Sequence, residues 1–261
     1  MGEGELDDAT WELPPPRPAL AGDEVHVWGA RLDAPREVVR RLHLTLAPDE
    51  RERAGRFHFQ RDRDHFIVAR GLLRAVLGEY LNVGPELLRF EYGAQGKPSL
   101  AAVQNQGGLR FNLSHSDGVA LFAVARGREV GVDVERVSAR VSCDEVAGRF
   151  FSPREVAALR ALPPLQREAA FFDCWARKEA YIKARGEGLS LPLDAFDVSF
   201  APGEPAALLA NRLDPAEVSR WTLRGLASWP GFAAAVAVEG RGWRLKCWRL
   251  PEDEESPAGR T

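Results

Sequence analysis

The stretch GVDVERV, residues 131–137, places two acids in an otherwise apolar strand pattern. Val132 and Val134 would face one side of that strand, and Asp133 and Glu135 the other. Two explanations are open: the acidic face is solvated, or the two carboxylates bind a cation. Residues two apart in a strand lie about 6.6 Å apart, so both acids could reach one divalent ion or its water shell. Oxygen ligands favour Mg²⁺ or Mn²⁺ over zinc, but this motif alone favours the solvated face.

The composition is that of an ordinary globular protein, with 45% hydrophobic and 28% charged residues among 261. This length suits one large domain or two of roughly 100–130 residues. The formal net charge of -3 argues against a general nucleic-acid binder, and no apolar run approaches the ~20 residues of a membrane span. The three scattered cysteines lack metal-ligand spacing, which favours reduced thiols. Because the N-terminus lacks the pattern of a signal peptide, we expect a soluble cytoplasmic protein.

Strand and helix patterns occur in two successive groups. Residues 24–33 alternate like a strand, and residues 62–81 have apolar residues near helical spacing. Three strand-like runs at 109–116, 118–127 and 128–137 are joined by short Gly-containing turns, which predicts an antiparallel meander.

A second helical group begins at Ser152. Ser152, Pro153 and Glu155 form a capping-box start, and residues 166–185 predict a long helix closed by glycine. Further strand-like runs follow, so the chain predicts two α+β halves. The predicted division is a flexible tail at 1–22, an N-terminal half at 23–129, a C-terminal half at 130–250 and a flexible tail at 251–261.

Glu179 lies on the same face of the predicted long helix as Phe172 and Trp175, which indicates that it points toward the interior. A buried carboxylate is costly unless it is paired or bound to metal. A salt bridge to Lys183 at i,i+4 is the simpler alternative. Taken with the strand pair, however, Glu179 favours three carboxylates converging on Mg²⁺.

Ser114 and His115 of FNLSHS do not form a hydrolase motif. No G-x-S-x-G is present, and adjacent strand residues face opposite ways, which is poor geometry for a nucleophile and its base. Anion binding and a structural histidine in a turn remain equally favoured. Lys97 lies in the Gly-rich turn GAQGKP, which is not a P-loop, and a surface lysine is its simplest explanation.

Residues 51–74 carry seven arginines against three acids, an excess that could bind phosphates or form the charged face of an amphipathic helix. With these pieces in order, the chain resembles the Sfp-type 4′-phosphopantetheinyl transferases. The resemblance covers roughly residues 24–250. It rests on Gly96-Lys97-Pro98, FNLSHS, GVDVE and WARKEAYIKARGEGLSLPL, which occur in that order.

The resemblance implies an α+β fold of two similar halves related by a pseudo-twofold axis. Each half would have a small antiparallel sheet and a packed long helix, with the active site at their junction. The N-terminal half would contact the nucleotide of coenzyme A. The C-terminal half would supply the metal ligands and the carrier-docking surface.

The resemblance also implies roles for individual residues. Asp133, Glu135 and Glu179 look like the ligands of a magnesium ion that grips the pyrophosphate of coenzyme A. Lys183 resembles the family lysine near the transferred phosphate. Our hypothesis for the catalytic base is Glu179, as a carboxylate beside the metal, acting directly or through a water. Lys97, Ser114 and His115 resemble residues that hold the nucleotide of coenzyme A and its 3′-phosphate. Trp175 and Lys178 belong to the same family signature and are expected to contact coenzyme A.

Family members often have arginine where this chain has His65. Which residue contacts the 3′-phosphate is therefore open, and Arg51, Arg53 and Arg56 are the candidates. Residues 186–193 resemble the segment that docks the carrier protein, and leucines exposed there would suit a helix-in-groove contact.

The implied reaction is attack by a carrier-protein serine on coenzyme A, with release of 3′,5′-ADP. The implied partners are apo acyl or peptidyl carrier proteins of fatty-acid, polyketide, nonribosomal-peptide or lysine pathways, and a monomer is expected. Two other functions remain open: a magnesium phosphodiesterase acting on coenzyme A, and a non-catalytic binding module on the same fold.

Overall fold

A computed structural model describes residues 10–93 and 95–251, with the side chain of Leu189 excepted. The predicted α+β class is confirmed. Residues 1–9 and 252–261 of the two predicted tails lie outside the described residues. The helices in the described part are α1 (Arg36–Thr45), α2 (Pro48–Gly55), α3 (Gln60–Leu81), α4 (Cys143–Phe150), α5 (Pro153–Ala161), α6 (Pro164–Arg185) and α7 (Glu217–Arg220). The strands are β1 (Trp11–Glu12), β2 (Glu24–Arg31), β3 (Phe90–Tyr92), β4 (Pro98–Leu100), β5 (Leu109–Ser116), β6 (Val119–Arg126), β7 (Val130–Arg136), β8 (Phe196–Val198), β9 (Leu208–Asn211), β10 (Trp221–Gly225), β11 (Phe232–Glu239) and β12 (Arg244–Arg249).

The chain divides into two compact units. The N-terminal unit consists of Trp11–Gly127 together with residues 245–251, and the C-terminal unit contains Arg128–Arg244. None of the helices described in either unit combines the length and the apolar character that crossing a bilayer requires.

The N-terminal unit contains a five-stranded sheet in the order β1-β12-β2-β6-β5, with α3 packed on it. β5 and β6 form an antiparallel hairpin whose two turn residues, Asp117 and Gly118, both have positive φ. This is the conformation that an Asp-Gly hairpin turn requires. Trp28 and Phe122 of the sheet pack with Leu73 of α3 in one buried cluster.

The predicted three-strand meander is wrong at its third strand. β6 pairs antiparallel with both β5 and β2, so neither of its edges is available to β7. β7 pairs instead with β11, in the three-stranded antiparallel sheet β10-β11-β7 of the C-terminal unit. The turn signals near Gly127 were correct, but they mark the passage from one sheet to another.

The C-terminal unit covers its sheet with α6, and Gly131 permits the contact. A Cβ atom at Gly131 would lie 2.2 Å from the Ala180 carbonyl oxygen and 2.3 Å from the Ala184 nitrogen. Only a residue without a side chain fits there. Because alternate strand residues share a face, Asp133 and Glu135 lie on the same side of β7 as Gly131, the side that meets α6.

The predicted capping-box start at Ser152 and the glycine end of the long helix are confirmed, although that helix begins at Pro164 rather than at residue 166. Ser152 Oγ accepts a hydrogen bond from the Glu155 nitrogen at 3.2 Å, and the Ser152 nitrogen donates to Glu155 Oε2 at 3.0 Å. Helix α6 ends where Gly186 adopts a left-handed φ of 73° and its nitrogen bonds the Ile182 carbonyl.

Candidate functional site in the carboxylate and lysine residues

The acidic face of β7 is not a solvated surface at Asp133. The Asp133 side chain lies under α6 and the residue is only 1% exposed, whereas Glu135 is half-buried near the strand end. The solvated-face explanation of GVDVERV is therefore wrong for Asp133. A carboxylate removed from water in this way needs a compensating charge or hydrogen bonds.

Lys183 provides such a charge. Its Nζ donates to Asp133 Oδ1 at 2.6 Å, which joins the last turn of α6 to β7. The Lys183 side chain is 30% exposed, so the ammonium group lies at the edge of the buried region. Lys183 also acts on Glu179 one turn away, where its charge lowers the pKa of that carboxyl, but the longer-range pair with Asp133 was not predicted from the sequence.

Glu179 lies close enough to Asp133 for the two carboxylates to influence each other. Burial raises the pKa of the Glu179 carboxyl, the negative charge of Asp133 raises it further, and Lys183 opposes both effects. The structure thus brings Asp133, Glu179 and Lys183 together. Two like charges held this close are better tolerated when a cation lies near them.

Trp175 and Lys178 occupy different surroundings on α6. Trp175 is half-buried in an aromatic cluster, with ring centroids 5.8 Å from Phe150 and 6.0 Å from Phe171. Lys178 is fully buried, and its Nζ lies 2.7 Å from Glu155 Oε2 of α5. Their predicted contacts with coenzyme A stay predictions.

In the segment after α6, the two leucines whose side chains the structure describes are not exposed. Leu191 is 3% exposed and Leu193 is 7% exposed, because both belong to the apolar core of the C-terminal unit. The idea that these two leucines form a helix-binding surface is wrong. Gly186 and Gly188 both have positive φ, so the backbone turns sharply before the two buried leucines, Leu191 and Leu193.

In the N-terminal unit, Ser114 and His115 face opposite sides of β5. Ser114 is 6% exposed and pairs with Leu121, whereas His115 is exposed and pairs with Ala120. This is the arrangement that the sequence predicted, and it is unsuited to a serine nucleophile activated by its neighbour. Lys97 closes the β3–β4 hairpin, where its carbonyl accepts from the Gly93 nitrogen at 3.0 Å.

His115 lines a cavity of about 280 Å³ in the N-terminal unit, and the same cavity is bordered by His65, Arg61 and Phe57. His65 Nε2 lies 2.8 Å from Asp33 Oδ1, and this hydrogen bond holds the pKa of Asp33 below its usual value. Sequence reasoning did not single out Arg61. Its only signal was membership of the arginine-rich stretch 51–74.

The three arginines predicted to meet the 3′-phosphate are exposed on or next to α2. Arg51 donates to the Leu44 carbonyl, Arg56 pairs with Glu52 at 2.6 Å, and the Arg53 guanidinium lies 5.4 Å from the Phe66 ring centroid. Two other members of the stretch are structural. Arg70 and Arg74 are buried and bind the carboxylate of Glu50.

The geometry of the C-terminal unit suits chemistry on a phosphorylated substrate. Asp133 and Glu179 bring oxygen donors to this contact, and the partly exposed Lys183 beside them carries a positive charge that suits a phosphate oxygen. Carboxylates and a cation on an α+β scaffold suit the class of enzymes that act on phosphate groups, by transfer or by hydrolysis.

Comparison with known proteins identifies the family. Residues 129–237 match the family profile of the 4′-phosphopantetheinyl transferase superfamily, and residues 34–126 match that of the 4′-phosphopantetheinyl transferase N-terminal region. The chain is 42% identical over 239 residues to 4′-phosphopantetheinyl transferase HetI of Nostoc sp., which covers 92% of this chain and 98% of HetI. It is 29% identical over 215 residues to 4′-phosphopantetheinyl transferase Sfp of Bacillus subtilis, covering 81% of this chain and 91% of Sfp.

A human relative, L-aminoadipate-semialdehyde dehydrogenase-phosphopantetheinyl transferase, is 31% identical over 166 residues, covering 60% of this chain and 54% of that protein. The chain belongs to the 4′-phosphopantetheinyl transferase family. Its members transfer phosphopantetheine from coenzyme A to carrier proteins. The resemblance seen in the sequence and the prediction of an enzyme are thereby confirmed.

Proposed function

We propose that the protein transfers the 4′-phosphopantetheine group of coenzyme A to a serine hydroxyl of an apo acyl or peptidyl carrier protein, with Mg²⁺, releasing 3′,5′-ADP. The observation that carries this proposal is the meeting of Asp133, Lys183 and Glu179 at the contact between β7 and α6.

Asp133, Glu135 and Glu179 would hold the metal. Within the described part of the chain, no three His, Cys, Asp or Glu side chains already form a metal-binding cluster. Mg²⁺ does not need one, because it is commonly bound through one or two carboxylates and completed by waters and substrate phosphates. The all-oxygen donor set and the repulsion between Asp133 and Glu179 fit Mg²⁺, and Mn²⁺ as an alternative. When bound, the metal supplies charge neutralisation for the pyrophosphate.

Glu179 is the proposed base, acting directly or through a water. It accepts the proton of the carrier serine as the serine oxygen attacks the β-phosphorus of coenzyme A. The bond from that phosphorus to the bridging oxygen breaks, and 3′,5′-ADP leaves with the electron pair. Lys183 lies at the rim beside Asp133, where its charge stabilises the leaving oxygens.

The N-terminal unit would bind the nucleotide. Lys97, Ser114 and His115 are the proposed contacts of the nucleotide and its 3′-phosphate, and the exposed position of His115 beside the 280 Å³ cavity supports its part. Arg51, Arg53 and Arg56 are the proposed contacts of the 3′-phosphate. Trp175 and Lys178 are assigned to coenzyme A by the family motif alone.

The partners we propose are carrier proteins of fatty-acid, polyketide or nonribosomal-peptide synthases. We also propose a monomer that works in the cytoplasm without binding nucleic acid or membranes. Three free cysteines, two of them buried, are in keeping with a reducing compartment.

Intact-protein mass spectrometry tests the reaction. A panel of apo carrier proteins would be incubated with the protein, coenzyme A and Mg²⁺, with EDTA and the Asp133→Asn variant as controls. The expected result is a gain of one phosphopantetheine on at least one carrier, lost in both controls. Consumption of coenzyme A without labelling would indicate a phosphodiesterase, and an unlabelled panel with intact coenzyme A would indicate a binding module.

A further inference from the structure

Lys178 is fully buried, and its ammonium group binds three acceptors within the C-terminal unit. Its Nζ lies 2.7 Å from Glu155 Oε2, 2.8 Å from the Leu193 carbonyl and 2.6 Å from the Phe196 carbonyl. A lysine ammonium has three N–H donors, so three acceptors satisfy it. The Phe196 ring lies beneath it, with the centroid 4.2 Å from Nζ. To bind a phosphate, Lys178 would have to leave a buried carboxylate unpaired.

Glu155 also accepts hydrogen bonds from two backbone nitrogens. Its Oε1 accepts from the Val198 nitrogen at 2.9 Å, while its Oε2 accepts from the Ser152 nitrogen at 3.0 Å. The Lys178–Glu155 pair therefore connects α5, α6 and the start of β8. The cap of α5, visible in the sequence, is thus also one end of a buried ion pair.

The pair fixes the far end of the segment 186–193. The near end is held where the Gly186 nitrogen bonds the Ile182 carbonyl of α6. At the far end, the Leu193 carbonyl accepts a hydrogen bond from Lys178 of α6. Lys178 immediately precedes Glu179 in the chain. Between these anchors the backbone has two short-range bonds, from Ser190 to Glu187 and from Leu191 to Gly188, both at 3.3 Å.

We infer that Lys178 is a positioning residue for carrier recognition rather than a contact of coenzyme A. By anchoring Leu193 and Phe196 to α6, it sets the segment 186–193 at a fixed distance from Glu179 and Lys183, which lie on the same helix. This inference rests on the proposed function, because that function assigns the segment to carrier docking. Glu155 has the same positioning role, because it pairs with Lys178.

The test compares wild type with a double variant that carries both Lys178→Met and Glu155→Gln. Removing both charges avoids an unpaired buried carboxylate. A matched control carries Lys246→Met and Glu24→Gln, which remove a lysine–glutamate pair of 2.8 Å in the N-terminal unit. For each protein, KM and kcat are measured with the apo carrier that wild type labels best, and the Kd of coenzyme A is measured by calorimetry. Hydrogen exchange of residues 186–196 is followed in parallel.

We expect faster exchange in residues 186–196 and a rise in the carrier KM of about tenfold or more, since small displacements of a positioning element are costly. The Kd of coenzyme A should change less than about twofold, and the control should leave the carrier KM unchanged. A tenfold weaker Kd with an unchanged carrier KM would instead make Lys178 a coenzyme A contact. Unchanged exchange would overturn the anchoring itself. If wild type labels no carrier, the proposed function fails, whereas the exchange comparison still decides whether Lys178 holds the segment.

Discussion

The Nζ of Lys183 lies 2.6 Å from Oδ1 of Asp133, across fifty residues of chain. Each partner comes from a different kind of element, one from the end of a long helix and one from the middle of a strand. Gly131 makes the meeting possible, because α6 contacts β7 where that residue has no side chain. The spacing of two residues from Gly131 to Asp133 then places the carboxylate on the face that α6 covers.

Replacing Asp133 with Asn should slow transfer strongly with little change in folding. The isosteric amide cannot hold a cation or the charge of Lys183, and loss of a preorganised electrostatic group costs about 100–1,000-fold in rate. Lys183 is partly exposed and can be resolvated, so the free energy of unfolding should change by about 1 kcal/mol or less. Labelling rates and urea unfolding check both parts, with the exposed Asp144→Asn as the control. Normal labelling by Asp133→Asn would contradict the role.

Replacing Gly131 with Ala should destabilise the C-terminal unit strongly. The added Cβ would lie 2.2 Å from the Ala180 carbonyl oxygen, so β7 and α6 would have to separate. Overpacking of this kind costs about 1–3 kcal/mol or more. Gly148→Ala in α4 is the matched control, because a Cβ atom at that position would meet nothing within 4 Å outside its own helix turn. A helical alanine there should stabilise by about 0.5–1 kcal/mol. Chemical denaturation of both variants measures the difference, and equal effects would refute the close-approach explanation.

The local features of the fold could be predicted from the sequence because they depend on near neighbours. The capping box at Ser152, the closing glycine of α6 and the strand that carries Asp133 all follow from local patterns, and the structure contains each of them. The opposite orientations of Ser114 and His115 followed from strand geometry alone.

The features that sequence reasoning missed depend on distant segments. Nothing in the sequence near β7 indicates that both edges of β6 are already paired. The turn before β7 therefore could not predict that β7 joins a second sheet. β12 likewise joins the sheet of the N-terminal unit from the far end of the chain. The inward leucines 191 and 193 depend on packing that is not visible in the run GEGLSLPL.

Acid should destabilise the N-terminal unit through His26. This residue is buried, with Nδ1 2.7 Å from the Tyr80 hydroxyl and Nε2 3.2 Å from Glu24, while Lys246 faces Glu24 from the other side. Burial lowers the pKa of His26 from 6.5 to about 4. Between these values the unfolded chain binds more protons, so stability must fall as pH decreases.

The expected loss is up to about 3 kcal/mol between about pH 7 and pH 4. Glu24, whose pKa is lowered to about 2 mainly by the hydrogen bond from Lys246, adds a loss only below its ordinary value of 4.5. Urea unfolding across this range measures the slope. His26→Gln should flatten it between pH 6.5 and 4.5, and a flat wild-type profile would show that His26 does not control acid stability.

Replacing His115 with Ala should reduce the preference for coenzyme A over 3′-dephospho-coenzyme A. The side chain is exposed at the 280 Å³ cavity, where it can donate to a phosphate. A hydrogen bond involving a charged group contributes about 1.5–3 kcal/mol, so the ratio of the two Kd values should fall roughly tenfold or more. His58→Ala is a control because His58 is exposed but does not border that cavity. Calorimetry with both nucleotides decides, and an unchanged ratio would remove His115 from the 3′-phosphate site.

Replacing Glu179 with Gln should slow transfer without weakening the fold. Loss of a general base costs about 100–10,000-fold in rate. In the metal-free protein, the raised pKa of Glu179 means that its ionised form is disfavoured by burial and by Asp133, so Gln should be neutral or slightly stabilising at neutral pH. That advantage should shrink as pH falls toward 4.5, because the folded wild type then gains the proton first. Single-turnover labelling and unfolding curves measure both effects, and Asp173→Asn on the same helix is the control. Near-normal turnover by Glu179→Gln would exclude Glu179 as the base.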